Sequence, residues 1–217
     1  MCYSKPIKED GKMNDNINKE ALFKLSYGLF VLTANDEGKD NGCIINTCIQ
    51  AADSPERIVV AVNKSGYTHD MILKTKKFNI SMLDESAPMS LFEHFGFQSG
   101  KSVNKFETAV YGAKKSENEV YYLTEHTNAY ISAYVTDSID LGTHTLFIAT
   151  VVKAEKLADT TSVTYDYYFK NIKPAPAAKA KGWVCKICGY VYEGEELPAD
   201  FICPLCKHPA SDFEKLL

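Results

Sequence analysis

The sequence predicts a mainly β protein: an antiparallel, Greek-key-like barrel with a few helices, followed by a small metal-held module. Three observations lead there. Six segments rich in β-branched and aromatic residues lie between Tyr27 and Leu157. They do not alternate with helices, and no Gly-x-Gly-x-x-Gly turn is present, which argues against a doubly wound nucleotide-binding sheet. Two Cys-x-x-Cys pairs then stand close together near the C-terminal end, behind a run of Pro, Ala and Lys.

In chain order, residues 1–17 read as a flexible polar tail. Asn18 is placed to cap a first helix in "NKEALFKLS". Strands follow at Tyr27–Ala34 and Gly42–Ala52, separated by "NDEGKDNG", whose Asn, Asp and Gly supply hairpin chemistry. Arg57–Asn63 and Phe78–Leu83 are the next strands, with a helix between them in "THDMILKTKK". A further helix is expected in "SAPMSLFEHF", with Ser86 as cap and Pro88 in its first turn. The longest strands are Ala129–Gly142 and His144–Leu157. Tyrosines in "TYDYYFKN" are expected to cap the barrel. Residues 170–181, "KNIKPAPAAKAK", have almost nothing to bury and read as a partly extended linker. The domains expected are thus 18–169 for the barrel and 182–217 for the module.

Composition narrows the function. Of 217 residues, 45% are hydrophobic and 24% charged, a globular balance, and the net charge of −4 argues against a nucleic-acid binder. No apolar run spans a bilayer and no signal-peptide core opens the chain, so a cytoplasmic location is expected. Seven cysteines, an odd number, point to metal binding plus free thiols. Cys2, Cys43 and Cys48 fall outside the pairs, and the last two are expected as small strand residues.

Cys185, Cys188, Cys203 and Cys206 form two knuckles. Two residues between ligands let one tight turn present both sulfurs to one ion, and four soft thiolates suit zinc or iron. Spacing leaves that choice open. Zinc would be structural, whereas iron would carry one electron at a time. The module holds six acidic residues against three lysines, fit for a basic docking partner or for solvation alone.

The residues around the knuckles, "WVCKICGYVY" and "CPLC…DFE", resemble the rubredoxin family from Lys181 to Leu217. That resemblance implies one iron, with Trp183, Tyr190, Tyr192 and Phe213 as a small aromatic core. Lys207 departs from it, standing where the family usually has glycine. A left-handed backbone there would cost roughly 1–2 kcal/mol.

The larger part resembles the flavin reductase family, which binds FMN in a split β-barrel. "INTCIQAADSPERIVVAVNKSGYTHDMILKTKKFNISML", "FGFQSGKSVNKF" and "DLGTHTLFIATVV" carry the likeness, which runs from about Asn18 to Phe169. It is closer still to clostridial-type members that carry a rubredoxin tail. The resemblance implies that Asn46, Thr47, Cys48, Ile49, Gln50 and Ala51 lie along the flavin. Asn63, Lys64, Ser65 and Thr68, before a helix, suit a phosphate cradle. Read without the family, they are a solvated loop and a helix cap. Ser99 and Gly100 lie in a polar loop able to close on the cofactor. His144 falls where nicotinamide would dock; as a lone histidine it is a strand-start residue. His69 lies beside the cradle, and His94, His126 and His208 read as surface residues.

Joined, the two resemblances imply an NAD(P)H-dependent oxidoreductase passing electrons through FMN to rubredoxin iron and on to a flavodiiron-type acceptor. A homodimer is implied as well. Two rivals stand beside it: a free-flavin reductase feeding an oxygenase, and a zinc-ribbon binding module without turnover.

Overall fold

The computed structural model describes residues 19–22, 24–107, 110–174 and 182–216. Asn18 and Cys2 lie outside them, as does most of the expected linker. Seven strands form one antiparallel sheet in the order β2-β1-β5-β8-β9-β4-β3. They are β1 (Phe30–Asp36), β2 (Lys39–Ile45), β3 (Cys48–Asp53), β4 (Glu56–Asn63), β5 (Lys77–Leu83), β8 (Thr127–Asp140) and β9 (His144–Lys156). Two short strands, β6 (Lys114–Lys115) and β7 (Tyr121–Tyr122), pair separately.

The order of the sheet shows that it is curled into a barrel. β2 and β3 are its opposite edges, yet only Asn46 and Thr47 separate them in sequence. Three Cα steps of about 3.8 Å cannot cross a flat seven-stranded sheet, so the edges must meet. Thr47 extends the β3–β4 ladder by one residue: its carbonyl accepts from Ala61 N–H and its hydroxyl donates to the Ala61 carbonyl. The single strand expected over Gly42–Ala52 is therefore two. The chain changes edge at the polar pair in the middle of that apolar run.

Period-two patterning sets the faces. Ile58, Val60 and Val62 on β4 face Phe147 and Ala149 on β9 within the barrel core. A helix, α2 (Tyr67–Thr75), plugs one end with Met71 and Ile72. β1 is buried on both faces, since Leu32 belongs to this core and Val31 to a second one under α3 (Met89–Gly96). Glu37 and Gly38, both at positive φ, form the two-residue turn between β1 and β2.

Ser86 does not cap α3. Pro88 holds that position, while Ser86 donates its hydroxyl to Asp84, two residues back. The first helix, α1, is a single turn at Lys19–Leu22. After β9 the chain makes a helical turn, α4 (Tyr165–Tyr167), continued by a π turn through Ile172, so residues 170–172 belong to the barrel side. Tyr168 there is buried against Phe92, their ring centroids 4.6 Å apart. The module is a three-stranded sheet, β11 (Val191–Tyr192), β10 (Gly182–Cys185) and β12 (Phe213–Leu216). Among the described residues no helix is long and apolar enough to cross a membrane.

Candidate functional site

The four cysteines of the module converge. Their sulfurs all lie within 4.8 Å of one another, with Cys185 to Cys206 at 3.6 Å and Cys188 to Cys203 at 3.4 Å. Ligand bonds of about 2.3 Å in a tetrahedron give sulfur separations near 3.8 Å, so the cage fits one iron or zinc ion.

The two knuckles repeat one backbone pattern. Cys185 N–H donates to Tyr190 O and Gly189 N–H to Cys185 O; Cys203 N–H donates to His208 O and Lys207 N–H to Cys203 O. The pattern requires a left-handed residue after the second cysteine of each pair, met by Gly189 (φ 82°) and by Lys207 (φ 63°). Backbone N–H groups also point at sulfur: Ile187 and Cys188 at Cys185, Tyr190 at Cys188, and His208 at Cys206. Phe201 is the aromatic that the sequence reading lacked. It packs 4.8 Å from Tyr192 and 5.4 Å from Phe213, centroid to centroid.

A cavity of about 560 Å³ opens at the seam of the barrel. Asn46, Thr47, Asn63, Ser65, Thr68, Ser99, Gly100 and His144 all line it. Asn63 Oδ1 accepts from both the N–H and the hydroxyl of Ser65 at 2.9 Å, a turn that leads into α2 at Gly66. His144 opens β9 opposite Asn63 on β4. Its Nδ1 meets the Thr143 hydroxyl at 2.9 Å. Burial, and then the neighbouring His208, push its pKa below the ordinary value, which favours a neutral ring.

Apart from Cys43 and His208, which also line the cavity, the other sequence-named residues stand elsewhere. Ile49, Gln50 and Ala51 are exposed on β3, and Cys48 packs against the barrel core. Lys64 pairs with Asp140. His69 is buried, with Nε2 2.9 Å from the Thr145 hydroxyl. His94 and His126 are half-buried and hydrogen-bonded to the Lys105 carbonyl and the Ser86 hydroxyl. His208, also half-buried, lines the cavity. Burial pushes the Cys43 thiol up, and that of Cys48 up to about 12, so neither supplies a thiolate at neutral pH.

Two cavity residues escaped the sequence reading. Lys105 is 2% exposed, and its Nζ donates to Gly42 O at 2.8 Å and Phe95 O at 2.9 Å. Burial brings its pKa down to about 8. Asn41, also 2% exposed, donates from Nδ2 to Thr68 Oγ1 at 2.9 Å, while its Oδ1 has no partner. A Cβ on Gly100 would lie 2.1 Å from that oxygen, so only glycine fits there. Asn41 hides in a segment that reads as turn, and nothing local marks Lys105. An orphaned buried acceptor, a buried ammonium and the N-terminus of α2 around one cavity fit a ligand with a polar ring edge and an anionic tail.

The metal module forms the rest of the wall. Pro204, Leu205, Cys206, Lys207 and His208 of the second knuckle line the same cavity, with Ile187 of the first. Lys173, from the barrel side, donates to Lys186 O at 2.9 Å and Ile187 O at 3.0 Å.

Comparison with known proteins follows the same division. A flavin reductase like domain model matches residues 22–175, and a rubrerythrin, rubredoxin-like domain model matches residues 183–214. The high molecular weight rubredoxin of Moorella thermoacetica is 34% identical over 92% of this chain and all of its own. The ferric-chelate reductase (NAD(P)H) of Archaeoglobus fulgidus is 37% identical over 72% of this chain and 92% of its own. Among solved structures, the NADH:FAD oxidoreductase SgcE6 of Streptomyces globisporus C-1027 superposes with a TM-score of 0.61 at 18% identity. The match covers 67% of this chain and 85% of that one, and it supports the fold alone.

Proposed function

The chain belongs to the flavin reductase-like domain family and carries a rubredoxin-like domain behind it; from that premise we propose that it moves electrons from NAD(P)H through FMN to a thiolate-bound iron, within one chain. It is an NAD(P)H-dependent oxidoreductase, and the cofactors its two domains support are a flavin and iron. When bound, the flavin accepts a hydride and the iron carries single electrons onward. The protein supplies binding and alignment.

Ser65, Thr68 and the N-terminus of α2 hold the phosphate in this reading, with Asn41 beside Thr68 and with Asn46 and Lys105 on the ring edges. Ser99 and Gly100 close the cavity over them. His144, neutral and fixed through Nδ1 by Thr143, orients the nicotinamide. Cys48, Ile49, Gln50, Ala51 and Lys64 do not line this cavity, so any contact they make with the flavin is proposed across the homodimer. The observation that carries the proposal is the shared wall: Cys206, a metal ligand, lines the same cavity as Asn46 and His144. Such a placement supports electron transfer in cis.

The onward acceptor is a redox protein, of flavodiiron type on the family resemblance. A homodimer is proposed, and the exposed Ile49, Ile139 and Leu141 support it as apolar side chains suited to burial by a second copy. A reducing compartment, the cytoplasm, agrees with free thiols at Cys43 and Cys48 and a four-cysteine metal cage among the described residues.

The test is a visible spectrum of the purified protein before and after anaerobic NADH, with iron and zinc measured on the same sample. Flavin and ferric-thiolate bands that both bleach are expected. Flavin bleaching alone would disconnect the two halves. Flavin lost on purification but turned over when added back would favour a free-flavin reductase. Zinc without flavin would end the redox reading.

A further inference from the structure

Lys173 falls in the segment that reads from sequence as a solvated linker, yet it is half-buried and makes contacts that no linker role needs. Its backbone belongs to the barrel side. Lys173 N–H donates to Tyr168 O at 2.8 Å, and Tyr168 is buried in the second barrel core. The side chain then crosses to the metal module. Its ammonium lies 4.6 Å from the centroid of the Phe169 ring, and its Cε comes within 3.3 Å of where a Cβ on Gly189 would stand. Nζ donates to the carbonyls of Lys186 and Ile187, the two residues between the first pair of cysteines. Among the described residues no carboxylate pairs with it.

Those two carbonyls belong to the peptide groups whose N–H ends are Ile187 N–H and Cys188 N–H. Both N–H groups point at the sulfur of Cys185. The lysine is thus joined to one metal ligand through two parallel peptides, ammonium to oxygen at one end and N–H to sulfur at the other. A cation on a carbonyl polarises its peptide and strengthens the N–H as a donor, so the two hydrogen bonds reinforce each other. Adding one electron to a ferric tetrathiolate centre raises its negative charge by one unit, and that charge spreads onto sulfur. Strengthened N–H donors and a nearby cation both favour the more negative state.

We propose that Lys173 is a positioning residue that seats the module on the barrel through the Lys186 and Ile187 carbonyls and raises the reduction potential of the iron through those two peptides. This rests on the iron reading above. The barrel thereby sets the potential of its own electron acceptor, and the effect exists only while the module is docked.

The test is the ferric/ferrous midpoint of the full-length, iron-reconstituted protein, measured by spectroelectrochemistry on the wild type, K173Q, K173R and K170Q. Lys170 is on the same segment but exposed and paired with Asp166. In K173Q the ratio of reduced to oxidised iron at fixed potential is expected to fall about tenfold, a shift of about 59 mV for a one-electron couple. K173R should keep most of the wild-type value, and K170Q all of it. An unmoved midpoint in K173Q overturns the proposal. So does an equal shift in K170Q, which would be net charge alone, or loss of iron in K173Q, which would be a structural role. Reconstitution separates this from the function proposed above. An unreconstituted preparation without iron or flavin sinks that reading, whereas an unmoved midpoint sinks only the role of Lys173.

Discussion

The barrel and the metal module are held together by different forces. In the barrel, period-two strands bury a continuous interior, with Leu32, Ile80, Phe78 and Phe147 fully out of water. In residues 182–216 only Val184 and Phe213 join three cysteines as buried apolar side chains. A domain that small lacks the apolar area to offset its own chain entropy. One half is folded by its side chains and the other by its ion.

The largest break in that comparison should come from the ion. Metal removal, or Cys203→Ser, should unfold the module while the barrel keeps its own cooperative melt. Metal binding to such sites contributes on the order of 10 kcal/mol. Module and barrel resonances followed separately by NMR would show this, and a module that stays folded without metal would refute it. The matching break in the barrel is Phe147→Ala, which should cost about 3–5 kcal/mol in denaturant unfolding and leave the metal spectrum unchanged.

Smaller effects are expected at the knuckle turns. Lys207 and Gly189 occupy equivalent left-handed positions, one strained and one not. Lys207→Gly should stabilise the module by about 1 kcal/mol, and Gly189→Ala should destabilise it by about 1–2 kcal/mol. Melts of the module alone, read at the metal chromophore, should move in opposite directions for the two. Smallest is the electrostatic contact across the cavity. His144 has a lowered pKa, first from burial and then from His208. Its folded form favours the neutral ring, so stability is full above the ordinary histidine value near 6.5 and is lost as pH falls from there through the folded value. NMR titration should find His144 below that ordinary value, and His208→Gln should raise it. No change in His208→Gln would mean that the second knuckle does not sit at the cavity in solution.

Local patterns were readable in the sequence. The metal cage needs only four cysteines and two tight turns, all within 22 residues of chain, and its spacing says so. The turn from Asn63 into α2 is equally local. A serine before an apolar helix suits a cap, yet Asp84, two residues back, accepts the Ser86 hydroxyl instead. Gly42–Ala52 read as one strand because nothing in its composition shows that β2 and β3 lie at opposite edges of a sheet.

The sequence by itself determined the β content, the four-thiolate ion site and the polar strand-to-helix turn, because each depends on neighbours within a few residues. Tertiary structure alone decided the rest. Barrel closure at Asn46–Thr47 needs all seven strands in order. Lys105 reaches Gly42 across 63 residues of chain, and Lys173 reaches the first knuckle from the other side of the linker. A lysine's long stem and three donors carry no local signature. Only folding determines which carbonyls it meets, and here they lie along the cavity wall and between the first two cysteines.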